Sequence, residues 1–145
     1  MSQSRKAEYT SLLKEKGIEI RSWATFGQRQ GDYASIVTAN NKVGFVVIGY
    51  GSCSGCDAYA AATDGTTGEE QARLLTDLAY SVINNIYWGT LEELDAKIQN
   101  QGNDNNWYRH EESFKNNVNR LRKAARKAFP VDKEAVSINR VKETS

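Results

Sequence analysis

The sequence predicts an α+β fold, a small and mainly antiparallel sheet of three or four strands covered by three or four helices. Three observations carry this expectation. The run Val43–Tyr50 is apolar at nearly every position, which suits a central strand covered on both faces. A second strand-like segment, Tyr33–Ala39, precedes it across Asn40-Asn41, residues that tolerate the positive φ of a tight hairpin. Beyond Thr67 the apolar period changes to that of amphipathic helices.

The elements follow in order. Ser2–Lys16 reads as a helix with a thin apolar stripe of Tyr9, Leu12 and Leu13, a candidate cap at Ser4 and a stop at Gly17. Ile18–Phe26 alternates: Ile18, Ile20, Ala24 and Phe26 are expected on one face, Glu19, Arg21 and Thr25 on the other, with Trp23 breaking the pattern. Gly27–Asp32 reads as a loop, and Ala58–Thr67 is small, polar and unassigned. Thr67-Gly68-Glu69-Glu70 has the spacing of a capping box and opens a helix to about Asn85, whose apolar face is Ala72, Leu75, Ala79, Val82, Ile83 and Ile86. Ile86-Tyr87-Trp88 suggests a short added strand. Thr90-Leu91-Glu92-Glu93 is a second capping box, opening a helix to about Gln101, with Gln99–Asn106 as a polar loop. A last helix over 108–129 places Phe114, Val118, Leu121, Ala125 and Ala128 on one face, which Trp107 shares, Trp107-Tyr108 being open to a helical or a strand reading, and it stops before Pro130, the sole proline. Residues 1–130 are expected to form one domain, with 131–145 as a mobile tail.

The 145 residues carry a net charge of +1, so overall charge selects no partner. Its distribution is uneven: residues 1–110 hold 10 basic and 13 acidic side chains, residues 111–145 hold 9 and 5. No apolar run is long enough to span a bilayer, and the N-terminus has no apolar signal core. A cytoplasmic protein with reduced cysteines is expected.

The stretch Gly51–Asp57 (Gly-Ser-Cys-Ser-Gly-Cys-Asp) is the one place whose residue choice exceeds what a core needs. Two glycines, two hydroxyls, two thiols and a carboxylate follow directly on a buried strand. Gly51, Ser52, Ser54, Gly55 and Asp57 are therefore candidate ligand-binding residues, since a rigid strand end positions a loop for binding. Cys53 and Cys56 form a CxxC. A zinc site would need them together with Asp57 or His110, or a second chain. A redox dithiol would want a helix N-terminus, which Asp57 suits, and a facing proline, which is absent. Anion binding by the glycine-rich turn lacks the lysine and spacing of the nucleotide-binding loops. Small residues packing tightly under a helix explain the stretch without any ligand.

Other chemistry is sparse. His110 is the only histidine, which excludes a mechanism needing two within one chain, and it sits where a packed histidine would. No Gly-x-Ser-x-Gly elbow is present. The pairs Glu69-Glu70, Glu92-Glu93 and Glu111-Glu112 stand at helix starts, where the dipole favours them. The reading leans away from an enzyme. Residues 115–127 hold Lys115, Arg120, Arg122, Lys123, Arg126 and Lys127 and no acid. A solvated helix face accounts for this run; contact of Arg120, Arg122, Lys123, Arg126 and Lys127 with nucleic-acid phosphates or an acidic protein is the alternative.

The chain resembles a loose group of short phage-encoded proteins that share Gly-Ser-Cys-Ser-Gly-Cys-Asp at the end of an apolar strand, followed by a helix, an aromatic pair and a Trp-Tyr element. Here these are Gly51–Asp57, Glu69–Asn85, Tyr87-Trp88 and Trp107-Tyr108. The resemblance covers about residues 30–130 and implies an origin and a fold rather than an activity. The expected function is therefore a non-enzymatic phage or prophage accessory protein that binds a host protein or small ligand in the cytoplasm through Gly51–Asp57. A small zinc or thiol protein using Cys53 and Cys56, and a nucleic-acid binder using the basic helix, are the alternatives.

Overall fold

The computed structural model describes residues 2–27, 31–51, 57–104 and 115–129. The chain runs α1 (Ser2–Lys14), β1 (Glu19–Gly27), β2 (Gly31–Ala39), β3 (Lys42–Tyr50), α2 (Ala58–Thr63), α3 (Gly68–Asn84), β4 (Tyr87–Trp88) and α4 (Leu91–Asp104), followed by helical residues 115–129, here α5. The four strands form one antiparallel sheet in the order β1-β2-β3-β4. The α+β expectation holds.

β3 is one of the two central strands, and alternation along it divides the core in two. Val46, Ile48 and Tyr50 join Tyr33 and Val37 of β2 beneath α1 and α3, where Tyr9, Leu13, Ala79 and Val82 are buried. Val43 and Phe45 join Ala34 and Ile36 on the opposite face, beneath Leu94 and Ile98 of α4 and Leu121 and Ala125 of α5. A strand with both faces covered in this way needs apolar residues at consecutive positions, as the sequence has them. The hairpin turns where expected: Asn40 and Asn41 have φ of 52° and 65°, and Ala39 pairs with Lys42, as a two-residue turn with both φ positive requires.

β1 departs from its expected pattern. Ile20 pairs with Val37 and Ser22 with Ile36, so Arg21 is an extra residue, a bulge. One inserted residue exchanges the faces of everything after it. Ile18, Ile20 and Trp23 therefore pack on the α1 side, whereas Ala24 and Phe26 pack on the α5 side. The expectation that Ile18, Ile20, Ala24 and Phe26 share one face is corrected, and Trp23 no longer breaks any pattern.

Helix starts and stops show smaller differences. At α4 the capping box is complete: the Thr90 amide donates to Glu93 Oε1 at 2.8 Å and the Glu93 amide to Thr90 Oγ1 at 3.2 Å. At α3 it is not made. Thr67 holds the N-cap position without a side-chain cap bond, because Gly68 follows at φ +60°, outside the helical geometry that brings the first free amides under a capping oxygen. Gln71 instead donates to the Thr66 carbonyl at 2.9 Å. Ala72, expected on the apolar face of α3, is exposed, and Leu78 packs in the core. α4 continues to Asp104, so the start of the expected polar loop is helical. The expected tail 131–145 lies outside the described residues.

Gly44 admits the last strand. A Cβ there would lie 2.5 Å from Ile86 Cγ2 and 2.8 Å from Trp88 Cε3. β4 reaches β3 only because that position has no side chain. Gly44→Ala is expected to lower stability by about 1–3 kcal/mol, the range for overpacking a tight core. Thermal denaturation checks this; an unchanged Tm would show that Trp88 moves away at no cost.

Candidate functional site

Two regions hold the candidate residues, and their described charged groups are used differently. The first is the end of β3. Gly51 and Asp57 bound the small-residue loop, and the Gly51 amide donates to Asp57 Oδ2 at 3.5 Å. Asp57 is 4% exposed. Its Oδ1 accepts from the Ala60 amide at 3.0 Å, which makes it the N-cap of α2. Arg5 Nε of α1 stands 3.3 Å from each carboxylate oxygen. Arg5 also donates to Glu8 at 2.8 Å and lies over the Tyr59 ring, 4.7 Å from its centroid. Asp57 thus ties together the β3 terminus, α2 and α1. Ser52, Cys53, Ser54, Gly55 and Cys56 lie outside the described residues, as does His110. Among the described residues no three His, Cys, Asp or Glu side chains form a metal-binding group.

Aromatic rings surround this tie. Tyr33 stacks on Tyr50 at 4.3 Å, and Tyr9 meets Tyr59 edge-on at 5.6 Å. Burial, and then the Asp57 carboxylate, raise the Tyr9 phenol well above its ordinary pKa; burial likewise raises Tyr33 and Tyr59. The Tyr9 hydroxyl is buried and has no hydrogen-bond partner among the described residues.

The second region is a groove of about 560 Å³ between β1 and α5. Arg120, Lys123 and Lys127 line one side and Arg21 the other, over a floor of Ser22, Ala124 and Ala128. Positions 120, 123 and 127 fall on one helical face, spread over about 10 Å of helix axis. Arg21 reaches the groove because the bulge re-aims it, and its Nε donates to Thr38 Oγ1 at 3.0 Å. Among the described residues it pairs with Glu19, exposed and 3.9 Å away. Among the described residues Arg120, Lys123 and Lys127 have no ion-pair partner. A smaller cavity of about 220 Å³, reaching Lys42 at the hairpin turn, shares Arg21 and Ala128 with the groove.

The basic run does not act as one face. Arg122 makes a two-pronged bond to Asp95 of α4, at 2.7 and 2.9 Å, and that carboxylate holds the guanidinium above its ordinary pKa. It fastens α5 to α4. Arg126 is exposed outside the groove lining. Arg21, absent from the residues singled out in the sequence, belongs to the groove; its only signal was the extra residue in an otherwise alternating strand. Comparison with known protein families, curated proteins and solved structures finds no match to this chain.

Two variants test the β3 terminus. Asp57→Ala is expected to cost about 2 kcal/mol, combining a lost N-cap with an unpaired Arg5, and Asp57→Asn about half of that. Urea denaturation of the two variants gives the ordering. Tyr9→Phe removes a buried, unpartnered hydroxyl and should raise stability by about 1 kcal/mol. A raised phenol pKa also sets the pH dependence. Below about pH 10 the phenol is protonated in both states and folding is unaffected. As pH rises further the unfolded chain loses its proton first, so stability falls, and it should fall less steeply in Tyr9→Phe. Denaturation at pH 9 and pH 11 checks the difference.

Proposed function

We propose that the protein is a binding protein whose ligand is a nucleic-acid phosphate backbone, held in the groove between β1 and α5. The observation that carries this reading is the convergence of Arg21, Arg120, Lys123 and Lys127 on one groove, the last three without a carboxylate partner among the described residues. Cations brought together without counter-ions raise the local potential and favour a polyanion. The floor of serine and alanine leaves the groove open to a polymer backbone. Asp57, at the end of β3, is used differently: it is buried and bonded to its own chain. That contrast favours the groove over Asp57 as the ligand site.

Fluorescence anisotropy with a labelled 20-nucleotide oligomer, titrated with salt, tests the reading. Four phosphate contacts give a log–log slope of roughly −3 on a single strand, at about −0.7 per contact. Lys123→Gln with Lys127→Gln should make the slope shallower by roughly 1.4. Arg126→Gln should leave it unchanged. Absence of binding at low salt, a slope indifferent to Lys123 and Lys127, or preference for an acidic peptide would each overturn the proposal.

A further inference from the structure

A second depression lies on the other side of β1. It is shallow, about 500 Å³, and lined by Lys6, Ala7, Thr10 and Ser11 of α1 together with Trp23 of β1. Ser22 and Trp23 are consecutive strand residues and point to opposite faces of the sheet. Ser22 forms part of the floor of the cationic groove, so the two depressions stand back to back across the edge of β1. β1 is a terminal strand of the sheet, and β2 is the one strand it pairs with among the described residues.

Positive charge continues around that edge. Partial burial lowers the pKa of the Lys6 ammonium, and Arg120 lowers it further. Lys6 belongs to α1 on one face of the sheet and Arg120 to α5 on the other. Arg120 lines the groove with Ser22 and Lys6 lines the depression with Trp23, so the two cations flank consecutive residues of the edge strand. Lys6 also stands over the Tyr33 ring at 5.6 Å. The Trp23 indole is fixed rather than loose: its Nε1 donates to Thr10 Oγ1 at 3.2 Å, and its ring meets Tyr33 edge-on at 5.8 Å. It remains half-buried, with surface lining the depression.

We infer that the polymer is single-stranded and continues from the groove, past Arg120 and Lys6, around the edge of β1 to the Trp23 depression, where a base stacks on the indole. The inference rests on the polyanion reading and narrows it. A duplex is a stiff rod, with a persistence length of about 50 nm, and does not turn around a strand edge within one layer spacing of about 10 Å. A single strand does so freely. Stacking on a rigid aromatic ring beside a cationic path is the usual way of holding unpaired bases without reading their sequence.

The test compares a 20-nucleotide oligothymidylate with its duplex at one salt concentration, by anisotropy and by tryptophan fluorescence. The single strand should bind at least about tenfold more tightly and quench the emission, a difference within the range of one stacked base. Trp23→Phe should keep affinity within about threefold, a ring for a ring, and abolish most of the quench. Trp23→Leu should lose about tenfold in single-strand affinity. Lys6→Gln should make the single-strand salt slope shallower by roughly 0.7 and leave duplex binding unchanged. Trp23 contacts the core, so Tm is measured for each variant; if Trp23→Leu fails to fold, Trp23→Phe and Lys6→Gln decide. Equal binding of duplex and single strand, or indifference to Lys6→Gln while dependence on Lys123 and Lys127 persists, overturns the single-strand path and leaves the groove reading intact. If neither polymer binds, both fall.

Discussion

The structure depends on burying β3 on both faces. A strand whose consecutive residues are all apolar cannot rest against one layer. Val46 and Ile48 require one cover and Val43 and Phe45 another, and the α1/α3 and α4/α5 layers answer those two demands. The same strand sets the close approach of β4 through Gly44, and its terminus at Gly51 is where Asp57 draws α2 and Arg5 of α1 together. Hydrophobic burial from both sides is also what makes β3 rigid, since few voids and fixed rotamers leave it little freedom.

The two edges of the sheet are handled differently. β4 is only two residues long, too short to template another strand. β1 is nine residues long and is made unsuitable for pairing by three devices. The Arg21 bulge interrupts its register, Asn117 of α5 donates to the Thr25 carbonyl at 2.8 Å, and cations flank it. Bulges, charge and coverage are the usual protections of an edge. Scattered lysines would serve that purpose alone. Gathering Arg21, Arg120, Lys123 and Lys127 around one groove goes beyond it.

Charge in this protein therefore divides by partner rather than by position in the sequence. Arg122 and Arg5 have carboxylate partners from other elements, Asp95 and Asp57, and act as ties between layers. Both are partly shielded, so their hydrogen-bonded geometry is held better than that of an exposed pair. Arg120 and Lys123, two and one residues away from Arg122, face the groove without a carboxylate among the described residues. A helix turns about 100° per residue, so adjacent cations inevitably reach different surroundings.

The sequence by itself determined the layout that short-range chemistry controls. The apolar run of β3, the Asn40-Asn41 turn, the Thr90–Glu93 capping box and, apart from Ala72 and Leu78, the described apolar faces of α3 and α5 all involve residues within a few positions of each other, and each could be read directly. The candidate site was legible only in part. Arg120, Lys123 and Lys127 stood out as a basic run, but the removal of Arg122 by Asp95 depends on a residue 27 positions away. The entry of Arg21 depends on a bulge whose register is set by pairing with β2. Lys6 and Trp23 reach the same edge only because α1 and α5 cover opposite faces of one terminal strand. Tertiary structure decided these, because which charges are neutralised and which face a groove depends on long-range packing, and no local period encodes it.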